Sequence, residues 1–299
     1  MGLALDFGLG QSGLAEAGVD LGGAGLQLPA AVAVGGFPDI TGWVFDAAYQ
    51  YSAQDVNQCR YNDDGSRVYA RTNTNQSTDF IRYNTPDYSV PFVPVNDASP
   101  TSAQAFGNDG TSGFCFGSDG TKVYIGRSGG NRMREYINNG TPYKFQTGDL
   151  SLNFDMAGVN RAFDVAGRSS GLQLFYMDSS LQLFRSITMS TPDDLSTGVV
   201  DAATFDPTNE SSMGSFDVSP DAVSAYLRGT GEIIYEYAFG TPGDVSTLTY
   251  TGRSLDVTSD LPATTTARGV SVSSDQQHMA VMARHPTTPA SNFVMHYTR

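Results

Sequence analysis

The stretch FCFGSDGTKVYI, residues 114–125, decides how the rest of the chain is interpreted. It alternates apolar and polar residues, passes through Ser-Asp-Gly-Thr, and alternates again, which is the pattern of two strands joined by a tight turn. A second copy, CRYNDDGSRVYA, occupies residues 59–70, with Asp64-Gly65 aligned to Asp119-Gly120. The pairing indicates an internal repeat.

Three further copies follow toward the C-terminus. The third is degenerate, because residues 162–165 lead through GRSSG to residues 172–176 without the Asp-Gly pair. The fourth covers residues 215–226 and the fifth residues 269–281. With turn anchors at 64, 119, about 168, 221 and 275, the copies are spaced by 55, about 49, about 53 and 54 residues. Spacing of this length is typical of repeat arrays and propellers.

Each copy continues into a third alternating stretch, at residues 79–83, 132–136, 181–184, 233–237 and 293–297. Four of these stretches are followed by a Thr-Pro turn, at Thr85-Pro86, Thr141-Pro142, Thr191-Pro192 and Thr241-Pro242. A further strand is predicted after the turn, as at residues 248–250. The unit is therefore a four-stranded antiparallel blade, and five such blades are countable.

The two chain ends predict how the blades close. Copy five stops at Arg299, before its fourth strand, whereas residues 43–51 have the character of that missing strand. An N-terminal strand that completes the last blade removes the open sheet edges that invite aggregation. We therefore predict an all-β five-bladed β-propeller over residues 37–299. A β-sandwich, an open β-solenoid and a different blade count are the alternatives.

The repeat resembles known propeller families. The unit S-x-D-G-T-K-V-Y resembles the SPDG-type repeats of WD-like and YVTN-type propellers. Its longer form, in which a strand ending near Glu-Tyr precedes T-P-x-D-x-S-T, is similar to repeats of tail-associated and other virion proteins of bacteriophages. The similarity covers roughly residues 55–299 and is fullest in TPGDVST at 241–247 and TPDDLST at 191–197, while copies one and two depart with TPDYSV and TPYKF. Because unrelated functions share propeller repeats, the resemblance implies the fold more strongly than the function.

Residues 1–36 do not resemble a blade. They contain ten glycines, and two groups of leucine and phenylalanine alternate with small or polar residues. So much glycine makes a strand unstable alone, so this segment is predicted to become ordered on a neighbouring protein as an assembly arm. A disordered tail and packing on its own propeller are the alternatives. The predicted contact residues of the arm are Leu3, Leu5, Phe7, Leu9, Leu26 and Leu28.

The charge, the distribution of basic and apolar residues and the cysteines limit which classes of function are expected. The formal net charge is −14, from 17 basic and 31 acidic residues, so nucleic-acid binding is disfavoured. No Lys or Arg precedes Arg60, and no apolar run approaches the roughly 20 residues of a membrane span. We expect a soluble chain without a secretory signal or membrane insertion. Cys59 and Cys115 fall in neighbouring copies and are predicted to be buried and unpaired rather than a disulfide.

No motif for catalysis, a metal or a cofactor is found. The Asp-Gly and Asn-Gly turns lack the alternating acidic ligands of a calcium loop. His278, His285 and His296 lack metal-binding spacing, and the pairs Asp63-Asp64 and Asp193-Asp194 fall in turns where solvation explains them. No nucleophile elbow is predicted, because the Gly-x-Ser-x-Gly strings at 126–130 and 167–171 fall between predicted strands rather than between a strand and a helix. No sialidase Asp-box is present either, since Trp43 is the only Trp. Long connections at residues 96–113, 204–214 and 256–268 are predicted to carry any binding function.

These observations favour a non-catalytic virion structural protein of a bacteriophage. In this hypothesis the arm anchors a propeller to other virion proteins of the tail, portal or capsid, within a homo-oligomeric assembly. The propeller serves assembly or binds a host-surface glycan or protein, and a tail tip or fibre is the expected location. The alternatives are a capsid decoration protein, a propeller glycan hydrolase and a cellular interaction scaffold. No receptor-binding residue follows from the sequence.

Overall fold

The chain divides into two units, Met1–Gly36 and Phe37–Arg299, and all described residues belong to the second. The six predicted arm residues lie outside the described residues, so the assembly arm stays a prediction. The computed structural model describes residues 39–51, 56–74, 78–83, 87–96, 101–105, 111–127, 131–145, 147–156, 162–167, 170–178, 181–207, 214–229, 231–288 and 291–299.

The described residues form five separate four-stranded antiparallel sheets, as predicted. Blade 1 contains β2 (Val56–Tyr61), β3 (Val68–Thr74), β4 (Thr78–Tyr83) and β5 (Thr101–Ala105). Blade 2 contains β6 (Thr111–Phe116), β7 (Lys122–Arg127), β8 (Arg132–Asn138) and β9 (Gly148–Asp155). Blade 3 contains β10 (Ala162–Gly167), β11 (Gln173–Asp178), β12 (Leu183–Met189) and β13 (Gly198–Val200). Blade 4 contains β14 (Ser215–Val218), β15 (Ser224–Arg228), β16 (Ile233–Phe239) and β17 (Leu248–Asp256). Blade 5 contains β18 (Thr266–Val272), β19 (His278–Arg284), β20 (Phe293–Thr298) and β1 (Val44–Gln50).

Blade 5 is closed by the N-terminal strand. Its strand order is β1-β20-β19-β18, so the first strand of the chain lies beside the last. The register runs from Val44 opposite Thr298 to Gln50 opposite Phe293, with a bulge between Phe45 and Ala47. The predicted closure is therefore confirmed, and the separate five-sheet arrangement is that of a propeller rather than a sandwich.

The turn that joins the first two strands of each blade explains why the Asp-Gly pair recurs in the sequence. Gly65 and Gly120 have φ values of 69° and 70°, a left-handed conformation that glycine adopts without a steric cost. In the other copies the corresponding residues are Gly171, Ala222 and Gln276, also at positive φ. The preceding side chain accepts a backbone N–H two residues on, for example Asp64 from Ser66 and Asp119 from Thr121. In the degenerate third copy Ser170 takes this role, accepting from Leu172, so the turn anchor lies at 170 rather than 168.

The apolar core lies between the blades. Buried side chains form five clusters in the described residues, one at each interface between neighbouring blades. The second strand of blades 1 to 4 carries a buried tyrosine that pairs with the inner strand, and blade 5 has Ala280 at the equivalent position. The four tyrosines are Tyr69, Tyr124, Tyr176 and Tyr226. Cys59 and Cys115 are free and buried in two different clusters, as predicted, and burial raises the pKa of Cys59 to about 12.

Short 3-10 helices precede three of the outer strands. They are η1 (Ile40–Gly42), η2 (Leu195–Thr197) and η3 (Val245–Thr247). Each helix is capped by an aspartate whose side chain accepts a backbone N–H two residues on. Asp39 accepts from Thr41, Asp194 from Ser196 and Asp244 from Ser246. Each also buries its first residue. Residues 39–42 therefore form a third copy of the capped 3-10 turn that follows Thr-Pro in blades 3 and 4, here directly before the strand that closes blade 5.

Candidate functional site

Arg60 of β2 ties together the inner strands around the centre of the propeller. Its Nη2 donates to Asp164 Oδ1 at 2.8 Å and to the Phe216 carbonyl at 2.7 Å, while Nη1 donates to the Val270 carbonyl at 2.7 Å. These acceptors lie on β10, β14 and β18. One side chain of blade 1 therefore bonds directly to blades 3, 4 and 5, with 4 % of its surface exposed.

The acidic partners at the centre are equally well bonded. Asp164 also accepts from the Ser215 hydroxyl at 2.7 Å and the Phe216 N–H at 3.0 Å. Burial raises the pKa of Asp164 to about 6, although the Arg60 charge opposes that shift. Asp217 accepts from the backbone N–H groups of Val218 and Val272, both at 2.9 Å. This network is a cross-blade clamp.

A small cavity lies beside Arg60. Its volume is about 90 Å³, which is room for a few waters and too small for a sugar ring. Residues from all five blades line it, including Asp217, Ser271 and Ser274. Both Asp217 oxygens are occupied by backbone donors, and the Ser271 hydroxyl accepts from Tyr61 N. Since these polar atoms already have partners within the protein, they contribute to packing at the centre of the ring rather than to ligand binding.

The turns after Thr-Pro bind the preceding blade in a recurring way. The third residue of the turn, at positive φ in Tyr143, Asp193 and Gly243, has a carbonyl that accepts a side-chain donor of the blade before. The donors are Asn62 Nδ2 at 3.0 Å, Lys122 Nζ at 2.5 Å and Gln173 Nε2 at 2.8 Å. These contacts fix the spacing of neighbouring blades.

Asp193 corrects one sequence expectation. Its side chain is 8 % exposed and accepts from the N–H of Ser118 at 3.0 Å and from the hydroxyl of the same residue. The carboxylate of Asp193 is therefore not a solvated turn residue, as expected from the sequence, but a buried hydrogen-bond acceptor that connects blade 3 to blade 2. The neighbouring Asp194 caps η2, and Asp64 caps its own turn, so these two carboxylates have local structural roles.

The larger opening is a groove between blades 3 and 4, with a volume of about 640 Å³. Gln173, Ser186 and Thr188 supply polar atoms on the blade 3 side, and Asp201 lies beside them. The Ser186 and Thr188 hydroxyls both donate to Asp201 Oδ2, at 2.5 and 2.9 Å. The apolar part of the lining comprises Leu172, Met189, Ala202, Ala203, Pro242 and Val245.

The groove exists because the outer strand of blade 3 is short. β13 has three residues, whereas β9 and β17 have eight and nine, and it pairs only with Ile187, Thr188 and Met189. Beyond Val200 the chain leaves the sheet and returns once, where Phe205 and Phe184 form an isolated bridge. Residues 201–203, between these two pairings, line the opening.

Two of the three histidines form a pair at the ring closure. His278 and His296 stack with ring centroids 5.2 Å apart, and Nδ1 of His278 lies 3.0 Å from Nε2 of His296. Asp46 Oδ2 lies 2.9 Å from His296 Nδ1. Because a carboxylate only accepts, the neutral His296 donates from Nδ1 to Asp46 and accepts at Nε2. Burial and His278 lower the pKa of His296, against the opposing effect of Asp46.

The predicted binding connections have more structure than expected. Residues 96–113 contain β5 and the start of β6, so they are not a simple loop. Residues 204–214 begin with the Phe205 bridge and follow directly on the groove. Residues 256–268 include the buried Val257 and the start of β18. The second connection is therefore the one that continues from the groove.

Within the described ranges, no group of three or more His, Cys, Asp or Glu side chains is placed to hold a metal ion. None of the helices in that part of the chain is long and apolar enough to cross a membrane. Sequence reasoning missed the Arg60 clamp, the Asp201 cluster and the histidine pair. The only available signal was for the histidines, whose strands are predicted neighbours in one hairpin.

Comparisons with known proteins show distant structural likeness only. No family model and no curated protein matches the chain. A chain of the mitotic checkpoint complex is 11 % identical, with a TM-score of 0.42 over 80 % of this chain and 62 % of that one. Hydrazine synthase of Kuenenia stuttgartiensis is 13 % identical, with 0.39 over 60 % and 44 %. A functionally unknown protein of Desulfotomaculum acetoxidans is 13 % identical, with 0.43 over 81 % and 69 %. The chain thus spans less than two thirds of the first two, and these scores assign it no function.

Proposed function

We propose that this protein is a structural virion protein of a bacteriophage, anchored by residues 1–36 and displaying its propeller for assembly or host-surface binding. The observation that carries the proposal is the composition of the ring. All twenty strands in the described part of the chain lie between Val44 and Thr298, and they form five four-stranded blades. The apolar, Gly-rich residues 1–36 precede this ring in the sequence, and we expect them to bind another protein.

The sequence of the repeats supports the particle context. The turn sequences at 191–197 and 241–247 resemble those of phage virion proteins, and each forms a capped 3-10 helix that seats a buried Leu195 or Val245. Full burial of an apolar arm side chain such as Leu3 or Phe7 contributes about 1.5–3 kcal/mol. Several such side chains together are sufficient to anchor a display domain, even after the cost of ordering the arm.

The test compares full-length protein with protein lacking residues 1–36. We expect the truncated chain to melt within about 2–4 °C of the full chain, the shift that about 1 kcal/mol produces in a protein of this size. We also expect it to be absent from assembled particles purified by sedimentation from the expressing system. A full-length variant with Leu3, Leu5, Phe7 and Leu9 replaced by serine is expected to behave like the truncation.

The matched control is Val199→Ser in the full-length protein. Val199 is 65 % exposed on the outer strand of blade 3, so this change also removes an exposed apolar side chain but leaves the arm intact. It is expected to incorporate normally. Incorporation of the truncated chain would contradict anchoring by the arm, whereas absence of the full-length protein from particles would favour a cellular scaffold. Collapse of the truncated fold would show that the arm belongs to the propeller, and glycan turnover by the intact protein would favour a hydrolase.

A further inference from the structure

The groove between blades 3 and 4 contains acceptors that lack donors. Asp201 uses Oδ2 for the two hydroxyls of Ser186 and Thr188, whereas no described residue donates a hydrogen bond to its Oδ1. Gln173 donates from Nε2 to the Gly243 carbonyl, and among the described residues its Oε1 likewise receives no hydrogen bond. In the small central cavity, by contrast, both carboxylate oxygens of Asp217 accept backbone N–H groups. Asp201 Oδ1 and Gln173 Oε1 can therefore each accept a hydrogen bond from a donor on a ligand.

These acceptors are held in place before any ligand arrives. Ser186 is 2 % exposed on β12, so its hydroxyl fixes Asp201 from the interior side. The backbone N–H of Asp201 donates to the Ser186 carbonyl at 3.0 Å, which fixes the main chain as well. Gln173 lies opposite Thr188 in the sheet and is tied to blade 4. Such preorganisation lowers the ordering cost of binding.

The chemistry of the groove selects among ligand classes. An anionic ligand is disfavoured, because Asp201 and Asp244 line the groove and the chain carries a net charge of −14. A bound metal ion is also disfavoured, since the described residues place no third ligating side chain there. What remains is a ligand that presents several hydrogen-bond donors and carries no negative charge, and the apolar part of the lining favours a neutral polyhydroxyl ligand among these.

The rest of the lining fits the carbon skeleton of such a ligand. Leu172 is 37 % exposed at the groove, and Pro242 and Ala202 are exposed beside it. These side chains offer apolar contact to the C–H face of a pyranose ring. The volume of about 640 Å³ lies within the roughly 300–1,000 Å³ of ligand-binding clefts and exceeds what one ring requires.

We infer that this groove binds a neutral hexopyranose unit of a glycan, with Asp201 and Gln173 accepting hydrogen bonds from adjacent ring hydroxyls. The inference rests on the proposed display function, for which it supplies the class of surface ligand. No covalent step is involved, so binding leaves the sugar unchanged.

The experiment uses the full-length protein and saturation-transfer NMR. The probes are the methyl α-glycosides of glucose, galactose and mannose at millimolar concentration, with sialic acid and glucose 6-phosphate as anionic comparisons. Binding of at least one neutral glycoside is expected, and neither anion should compete. Asp201→Ala and Gln173→Ala are each expected to weaken that binding by about tenfold or more. Asp206→Ala is the matched control, because Asp206 is an exposed aspartate of the same segment outside the groove lining.

Thermal unfolding of each variant shows that it is folded, and Gln173→Ala keeps the test decisive if Asp201→Ala unfolds. Absence of binding by every neutral glycoside overturns the inference, and so does binding that both groove variants retain. Particle incorporation is measured separately on the same variants. A protein that incorporates but binds no glycoside refutes the sugar site alone. A protein that binds glycosides through Asp201 but never incorporates refutes the virion proposal and leaves the sugar site standing.

Discussion

Replacing Arg60 by methionine tests whether the central clamp holds the ring together. The change keeps an unbranched side chain but removes the donors to Asp164 and to the carbonyls of Phe216 and Val270. Breaking a buried ion pair by deleting one partner costs about 3–5 kcal/mol. At about 2–4 °C per kcal/mol, the melting temperature should fall by roughly 6–20 °C. Because the cost is smaller than the whole stability of most domains, the variant is expected to fold.

The loss should depend on pH in a defined direction. Burial already raises the pKa of Asp164 to about 6, and the Arg60 charge restrains that rise. A raised folded-state pKa means that the group stabilises the fold when protonated and loses that contribution as pH rises through the folded pKa. Without Arg60 the pKa of Asp164 rises further. The destabilisation of Arg60→Met should therefore be smaller at about pH 5 than at about pH 8, where the carboxylate would be buried and unpaired.

Urea unfolding at both pH values measures the free energy of unfolding directly. Arg132→Met is the control, because Arg132 is exposed on β8 and its replacement is expected to change stability by less than about 0.5 kcal/mol. Adding Asp164→Asn to Arg60→Met removes the unpaired charge and should recover part of the loss at the higher pH. A loss below about 1 kcal/mol, or one equal at both pH values, would refute the clamp.

Two further predictions concern residues near the pairing of the first and last strands. Trp43→Ala should lower the free energy of unfolding by about 3–5 kcal/mol, because Trp43 is 4 % exposed in the cluster between blades 4 and 5; a loss near zero in calorimetry would contradict its place in the core. Acidification should destabilise the wild type through His296, whose lowered pKa means that the unfolded chain binds the proton more readily below about pH 6.5. His296→Gln should remove up to about 1.4 kcal/mol per pH unit of that dependence, and an unchanged pH profile would show that His296 does not titrate in this range.

The blade count and the closure were predictable because both depend on local pattern. The turn after the inner strand needs a left-handed residue and a capping side chain, and Asp64-Gly65 and Asp119-Gly120 encode both in the sequence. The alternating stretches then set which faces are buried. Ring closure followed from a strand missing at one end and present at the other. One signal was overlooked: Asp39-Ile40-Thr41 matches the turn at Asp194-Leu195-Ser196.

The chemistry at the centre was not predictable in this way. Arg60 lies 104 residues from Asp164 and 210 from Val270, so their meeting depends on the angle between blades rather than on any local pattern. The same holds for Asp193, which an isolated turn sequence predicts to be solvated but which the preceding blade covers. Side-chain identity at a strand or turn position is visible in a sequence, whereas the neighbour supplied by another blade is not.

Blade 3 connects the irregular sequence to the proposed ligand site. It is the copy in which Ser170 replaces the aspartate of the turn, and it is also the blade whose outer strand ends after three residues. Repeat positions that only stabilise the fold are expected to keep the repeat sequence, so departures from that sequence are expected at functional sites. In this blade the departure opens a groove in which no described residue donates to Asp201 Oδ1 or Gln173 Oε1, while Ser170 preserves the turn that keeps the blade in the ring. The ring therefore tolerates an incomplete blade, because the core and the central clamp hold the inner strands on which that blade is built.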